Sequence, residues 1–430
     1  MMTGRLSGFV SLAGAVAMLA VGLIATAVVG TSRAEAQGQR QWNPFRQDYA
    51  SYSSASYDRE FVRRWEANPP RGYPTLSRDN IDATKKAVAF YKKIVADGGW
   101  PKVPAKKMRV GARGKAVLAL RERLTVAGHI KSGSSFPSYF GYDVETALKR
   151  FQATNGLSPT GVTDRRTIAA LNIPAKVRLR QLRINLDRLR SLAKPDKARY
   201  VVVNIPSAQI EAVEDNRVVS RHTGVVGKID RPTPRLSSRI HEINFNPSWH
   251  LPPTVVREDL IPKGRKLQRK KRDVLEEFGI DAYSGGRKLD TSKVNWNSGQ
   301  PYTLTYKQKP GKDNPLGFAK INFHNAHSVY LHDTPSDRLF GRNFRAASSG
   351  CVRVQNIETL ISWLLRDSGD WSVRRVEAIR KNGETETVRL KRAVPLHMVY
   401  ITAWATEDGN IQFRRDIYNR DGVGRIAASY

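Results

Sequence analysis

Cysteine is nearly absent from this chain: Cys351 is the only one among 430 residues. One thiol excludes an internal disulfide, so no covalent staple supports the fold. Acidic residues are scarce beside basic ones, 39 against 72, and the formal charge is +33. That surplus suits an anionic partner. Zinc-finger spacing, an RNA-recognition signature and basic-aromatic repeats are all missing, so nothing directs the charge to nucleic acid. Apolar content is not lacking: 40% hydrophobic and 9% aromatic residues exclude a wholly disordered chain, and the length allows two or three domains.

Only one long run is both apolar and uncharged, residues 8–30. Arg5 precedes it and Ala34-Glu35-Ala36 follows, the layout of a secretory signal cleaved after Ala36. Its length of about 23 residues also suits an uncleaved membrane anchor. Both readings put the bulk of the chain outside the cytoplasm, in the periplasm, and argue against a nucleic-acid partner. Acidic wall polymer or anionic lipid headgroups remain, with general solubility as the plain alternative. Loss of residues 1–36 would remove Arg5, Arg33 and Glu35 and change the charge by only one. A lone thiol in an oxidising compartment risks oxidation without structural return, which favours a chemical role.

Cys351 stands in Ser348-Ser349-Gly350-Cys351-Val352-Arg353, where glycine permits a tight turn and small residues leave the sulfur approachable. A nucleophilic thiol needs a base or oriented dipoles, because a free one titrates near ~8.5. His332 supplies a candidate. It ends the strand-like run Ser328-Val329-Tyr330-Leu331 and precedes the turn Asp333-Thr334-Pro335-Ser336. The bland alternative is an inert, buried cysteine.

His332-Asp333-Thr334-Pro335 followed by Ser348-Ser349-Gly350-Cys351-Val352-Arg353-Val354 resembles the active-site signature of the L,D-transpeptidases with a YkuD-type catalytic domain. The likeness is to the long bacterial form with a peptidoglycan-binding module, over about residues 80–420. Ser349 departs from the pattern, since many relatives carry histidine before the glycine. His332 is left as the sole candidate base in this stretch.

Taken in order, residues 37–78 read as a mobile arm, and Asn80-Ile81-Asp82 starts a helix that ends at Gly98-Gly99. Residues 79–175 form a helical region. Within it, 106–173 make a small bundle with helices marked by Val117, Leu120 and Leu124, by Val144 to Phe151, and by Thr167 to Asn172. Its motifs, Gly111 to Val117, Phe151-Gln152, Gly156-Leu157, Thr160-Gly161 and Ala170-Leu171-Asn172, resemble the peptidoglycan-binding domain, as binder or as scaffold. Residues 176–197 read as a basic connecting helix. It is either an interdomain helix with a solvated arginine face or a membrane-surface element.

From 198 to 420 the period turns to two, and an antiparallel or mixed sheet is expected. Asn246 to Thr254 resembles the family's passage from strand to lid, with Trp249 as substrate wall or core. An inserted lid is expected over about 255–318; Lys263 to Arg272 carries seven basic residues, for a stem-peptide carboxylate or for solvent. Ile357 to Leu365 reads as a helix. Residues 372–420 read as strands completing the catalytic sheet, with a tail at 421–430. The fold class expected is therefore α+β and multidomain. His324, His327 and His332 do not suggest a metal: on one strand the outer two would stand about 26 Å apart.

The resemblance implies a cysteine acyltransferase without cofactor or metal. His332 would take the Cys351 proton or hold an imidazolium-thiolate pair. The thiolate would attack the diaminopimelate carbonyl of a tetrapeptide donor stem, release D-alanine and leave a thioester. A diaminopimelate amine acceptor would give a 3→3 cross-link, water a tripeptide, and an outer-membrane protein or lipoprotein amine an anchored protein. A wall-binding scaffold without activity is the non-enzymatic alternative. Gly350 and Cys351 N–H groups are the expected oxyanion donors, with Ser349 in the turn. Arg353, Ser348, Trp249 and Tyr330 complete the expected substrate-side set; for Arg353, orienting the turn is the other reading.

Overall fold

The computed structural model describes residues 72–130, 133, 135–193 and 199–424. The expected leader, the apolar run at 8–30 and the arm as far as residue 71 lie outside the described residues. Among the described residues no helix is long and apolar enough to cross a membrane.

The end of the arm is structured, against the expectation of a mobile linker. Leu76 is fully buried, and Thr75 donates from N and Oγ1 to Glu211 at 2.9 and 2.8 Å. Helix α1 (Asp79–Ala96) follows and buries Ala87, Tyr91 and Ile94 at helical spacing. The module comprises α2 (Lys115–Val126), α3 (Tyr142–Thr154) and α4 (Arg165–Leu171), packed around Leu120, Leu124, Leu148, Phe151 and Leu171. Gln152 explains two of its motifs at once: its amide donates to Val162 O and accepts from Gly161 N, both at 2.9 Å, tying α3 to the Thr160-Gly161 turn. Asp164 caps α4 by accepting from Thr167 N at 2.7 Å.

Helix α5 (Ala175–Leu192) is an interdomain strut with Lys176, Arg180, Arg183 and Arg190 exposed on its basic face, but two of its arginines turn inward. Arg178 is 1% exposed and donates to Gln181 and Asn155. Arg188 pairs with buried Asp421 at 2.7 Å. These two cations are matched inside the protein, while the other basic residues of the helix keep a solvated face.

The catalytic region is a mixed sheet of nine strands. In chain order these are β1 (Tyr200–Asn204), β2 (Gln209–Glu214), β3 (Arg217–Gly227) and β4 (Leu236–Phe245). After β4 comes β5 (Trp249–His250), which belongs to a separate sheet, and then the insertion. The insertion opens with a continuous helical run, Pro253–Val255, Val256–Leu260 and α6 (Ile261–Gln268). It continues with α7 (Val274–Glu277), β6 (Ile280–Ser284), β7 (Arg287–Lys288) and β8 (Thr305–Gln308). Its strands order as β5-β8-β6-β7.

The main sheet resumes with β9 (Ala319–Phe323), β10 (Leu331–His332), β11 (Ala346–Ser348) and β12 (Val352–Val354). Helix α8 (Ile357–Leu365) then buries Ile357, Leu360, Ile361 and Leu364 in the core of that sheet. Residues 373–382 are not strand but α9 (Val373–Asn382), capped by Ser372 Oγ accepting from Arg375 N. The long strand β13 (Glu386–Val399) follows, with a register shift between Arg389 and Val394. The strands β14 (Ala403–Ala405) and β15 (Ile411–Phe413) do not join the catalytic sheet. They form their own ribbon, and Ala403, Ala405 and Phe413 share a core with α1 and α5.

The sheet order is β11-β3-β12-β10-β9-β4-β13-β1-β2, and an added β2–β3 pairing closes it on itself. Strand β1 is buried throughout because both of its faces are covered: Val201 and Val203 face the core shared with α8, while Tyr200 and Val202 meet Leu76, Leu189 and Trp404.

Candidate active site

Strand pairing brings the cysteine turn and His332 together. Parallel β10 and β12 place Leu331 beside Val352 and His332 beside Arg353, and Val352 N donates to Tyr330 O at 3.0 Å. Residues two apart share a face of a strand, so Tyr330 and His332 lie on the same side as Cys351 and Arg353. The two rings meet edge to face with centroids 5.8 Å apart. Antiparallel β9 sets Lys320 directly opposite His332, and the Lys320 ammonium lies 4.5 Å from the Tyr330 ring centre.

The turn itself is held from three directions. Gly350 takes φ +115°, open to glycine and strained for other residues. Ser348 Oγ donates to Cys351 O at 2.5 Å and accepts from Gly350 N at 3.2 Å. The sequence placed Ser348 on the substrate side; fully buried, it spends its hydroxyl inside the turn instead. Gly350 N–H is likewise engaged, so of the two expected oxyanion donors it is the Cys351 N–H that the turn leaves over. Thr233 Oγ1 donates to Gly350 O at 2.8 Å and accepts from Gly227 N at 2.8 Å. Ser349 Oγ accepts from Arg231 at 2.9 Å, and the same Arg231 nitrogen bonds Asp259 at 2.7 Å.

His332 is fully buried and its Nδ1 faces the Asp333 carbonyl at 2.5 Å. A carbonyl only accepts, so Nδ1 carries the proton and Nε2 presents a lone pair. Nε2 is buried without a hydrogen-bond partner among the described residues. Such a group is costly unless it has chemical work to do. Asp333 is fixed in turn: its Oδ2 accepts from Phe318 N at 3.0 Å, and burial raises its carboxyl to about 6.

Burial acts on both partners of the dyad in opposite senses. It raises the Cys351 thiol to about 11, against hydrogen bonds from the Tyr330 backbone and side chain and the charges of Lys320 and Arg353. It lowers His332 to about 3, helped by the charge of Arg353. Both shifts favour a neutral thiol beside a neutral imidazole at rest over the ion pair.

Trp249 reaches the site from β5 and is 2% exposed; its Nε1 donates to the Tyr330 hydroxyl at 3.0 Å. It therefore joins the inserted sheet to the cysteine through Tyr330. Arg353 is fully buried, donates to Thr334 Oγ1 at 3.3 Å, and is lowered to about 9 by burial. Lys320, Thr233, Arg231 and Asp259 were not singled out from the sequence. They arrive from three separate segments, and no local motif marks them. His324 stacks on His241 at 4.2 Å, and among the described residues no group of three or more potential ligands is arranged for a metal ion.

Residues 198–383 match the family model described as the L,D-transpeptidase catalytic domain, and residues 113–171 match that described as "Putative peptidoglycan binding domain". A protein of Haemophilus influenzae named "Putative L,D-transpeptidase" is 33% identical over 242 residues, 56% of this chain and 48% of that one. The chain thus spans about half the length of the curated relative it matches. Among solved structures, an L,D-transpeptidase from Stackebrandtia nassauensis aligns at 15% identity and TM-score 0.27, over 70% of this chain and 96% of that one. One from Xylanimonas cellulosilytica aligns at 17% and 0.23, over 69% and 99%. The chain carries a catalytic domain of the YkuD-type L,D-transpeptidase family joined to a domain of the peptidoglycan-binding family.

Proposed function

We propose that this protein is a cysteine L,D-transpeptidase that forms 3→3 cross-links in peptidoglycan. One observation carries the reading: in the family-matched domain, the only cysteine stands on a glycine turn whose following strand pairs with the strand that ends in His332.

His332 Nε2 takes the thiol proton as Sγ attacks the diaminopimelate carbonyl of a tetrapeptide stem. The carbonyl oxygen gathers negative charge and meets the Cys351 N–H, a donor type worth about 3 kcal/mol in the transition state. The imidazolium then gives its proton to the departing D-alanine amine, leaving a thioester. A second stem's amine attacks that thioester, passes its proton to His332 and thence to Sγ, and the free thiol is restored. Lys320 and Tyr330 stabilise negative charge on sulfur as it develops. In this reading the protein works in the periplasm, exported by or anchored through residues 8–30.

The test is mass spectrometry of the protein with disaccharide-tetrapeptide, beside Cys351→Ala. Cysteine-dependent loss of D-alanine with a cross-linked dimer supports the transpeptidase. Tripeptide alone points to water or a missing protein amine as acceptor. No product together with no carbapenem adduct on Cys351 would leave a wall-binding scaffold.

A further inference from the structure

Helix α9 holds neither member of the dyad, yet its Arg380 reaches the residue that orients the histidine. The Arg380 guanidinium bonds Glu358, at the start of α8, at 2.5 Å and lies 3.7 Å from Asp333 Oδ1. Its central carbon stands 4.1 Å from the centre of the Phe318 ring, so the cation is seated on an aromatic face with a carboxylate on either side. The Arg380 side chain is 42% exposed, and an ion pair so open to water contributes little to stability by itself. What it touches matters more.

Each polar atom of Asp333 has its own partner. The N–H donates to Ala319 O at 2.9 Å, Oδ2 accepts from Phe318 N at 3.0 Å, Oδ1 faces Arg380, and the carbonyl meets His332 Nδ1 at 2.5 Å. The first two bonds staple Asp333 to consecutive residues at the start of β9, and so fix the peptide whose carbonyl selects the imidazole tautomer. Gly317 clears the space for this staple: a Cβ there would fall 2.2 Å from Asp333 Oδ2. The backbone is shaped around the carboxylate.

Charge decides how firmly the staple holds, because an ionised carboxylate accepts an N–H more strongly than a protonated one. Burial raises the Asp333 carboxyl to about 6; the Phe318 N–H and the Arg380 charge act against that rise, and the Glu358 charge adds to it. The remaining cations around the pair, Arg353 and Lys320, bear on His332, which they lower together with burial.

We propose that Arg380 is a positioning residue for His332: it keeps the Asp333 carboxylate charged, and thereby keeps the Asp333 carbonyl on the imidazole Nδ1–H. The inference rests on the catalytic reading above and adds a residue to it. Glu358 works in the opposite sense, so α8 and α9 together set the lowest pH at which the dyad is oriented.

The test is the pH dependence of carbapenem acylation of Cys351 in the full-length protein, followed by intact mass from pH 5 to 9. In the wild type the rate should fall below an inflection near 6, and Asp333→Asn should abolish that inflection. Arg380→Gln should raise it by about one pH unit, Arg380→Lys should restore it, and Glu358→Gln should lower it. At pH 9 Asp333 is charged in every protein that keeps it, and the Arg380 and Glu358 variants should match the wild type within about twofold. A rate loss uniform in pH, or shifts of the same sign for Arg380→Gln and Glu358→Gln, would mean a merely structural role and overturn the proposal. The second readout is the Nδ1–H proton resonance of His332, identified by its absence from His332→Gln. At pH 7 it should be sharp in the wild type and weakened in Arg380→Gln, and equal signals overturn the proposal. If the wild type is not acylated at all, the catalytic reading fails, and this resonance alone decides whether Arg380 orients the ring.

Discussion

Arg231 donates to Ser349 Oγ at 2.9 Å, and the same nitrogen holds Asp259 at 2.7 Å. One side chain thereby fastens the residue before Gly350 to the helical run that follows Trp249. Ser349→Ala removes a single hydrogen bond and should lower stability by about 1 kcal/mol. Arg231→Gln leaves the mostly buried Asp259 carboxylate without its cation, and a loss of about 3 kcal/mol is expected. Urea unfolding measures both, and Asp259→Asn added to Arg231→Gln should recover part of the second loss. Equal losses for the two single variants would contradict the bridge.

Tyr330 is the meeting point of Trp249, Lys320 and the thiol. Tyr330→Phe keeps the ring under the lysine but removes the hydroxyl. Carbapenem acylation of Cys351, followed by intact mass, should slow about tenfold because the developing thiolate loses a donor. An unchanged rate would show that the hydroxyl serves only to seat the indole.

The resting charge state of the dyad is open to a pH profile. Burial moves Cys351 up to about 11 and His332 down to about 3. Neither group changes protonation between those values, but the neighbouring Asp333 carboxyl titrates at about 6, so the acylation rate should be level from about pH 7 to 9. An inflection inside that window would mean that the thiol or the imidazole titrates there, against the effect of burial. His332→Gln should reduce the rate by about 10²–10⁴ at any pH in that window.

His222 gives a stability test separate from catalysis. It is buried, with Nδ1 toward Gln355 O at 3.0 Å and Nε2 toward Ser220 Oγ at 2.9 Å, and burial lowers it to about 4. Between that value and its ordinary 6.5 the unfolded chain binds the proton and the folded one does not, so stability falls as pH drops through this range. His222→Gln should flatten the loss of thermal midpoint between about pH 7 and 4. A slope equal to that of the wild type would overturn the assignment.

The dyad was legible because His332 and Cys351 both sit in short local strings, each marked by turn residues. Their surroundings were not: Lys320 faces His332 only through the β9–β10 register, and Arg231 reaches Ser349 across 118 positions of sequence. The bundle and α5 were legible from their leucine spacing, but burial of Arg178 was not, since a periodic arginine looks solvated until its partners are known. Helix α9 was missed although Ser372 and the spacing of Val373, Val376 and Ile379 announced it. Its basic residues masked a narrow apolar stripe, and of these three Val376 and Ile379 are buried.

Strand β13 lies between β4 and β1, and its parallel pairing sets Val201 beside Leu396, 195 positions later in the chain. No local segment can stand in for that neighbour. During synthesis β1 and β4 both wait with an unpaired edge until almost the whole polypeptide has been made, a non-local demand that slows folding. A product truncated at residue 383, where the catalytic family match ends, would expose both edges at once and invite strand-to-strand aggregation. The last tenth of the chain is therefore a condition for solubility as much as for shape.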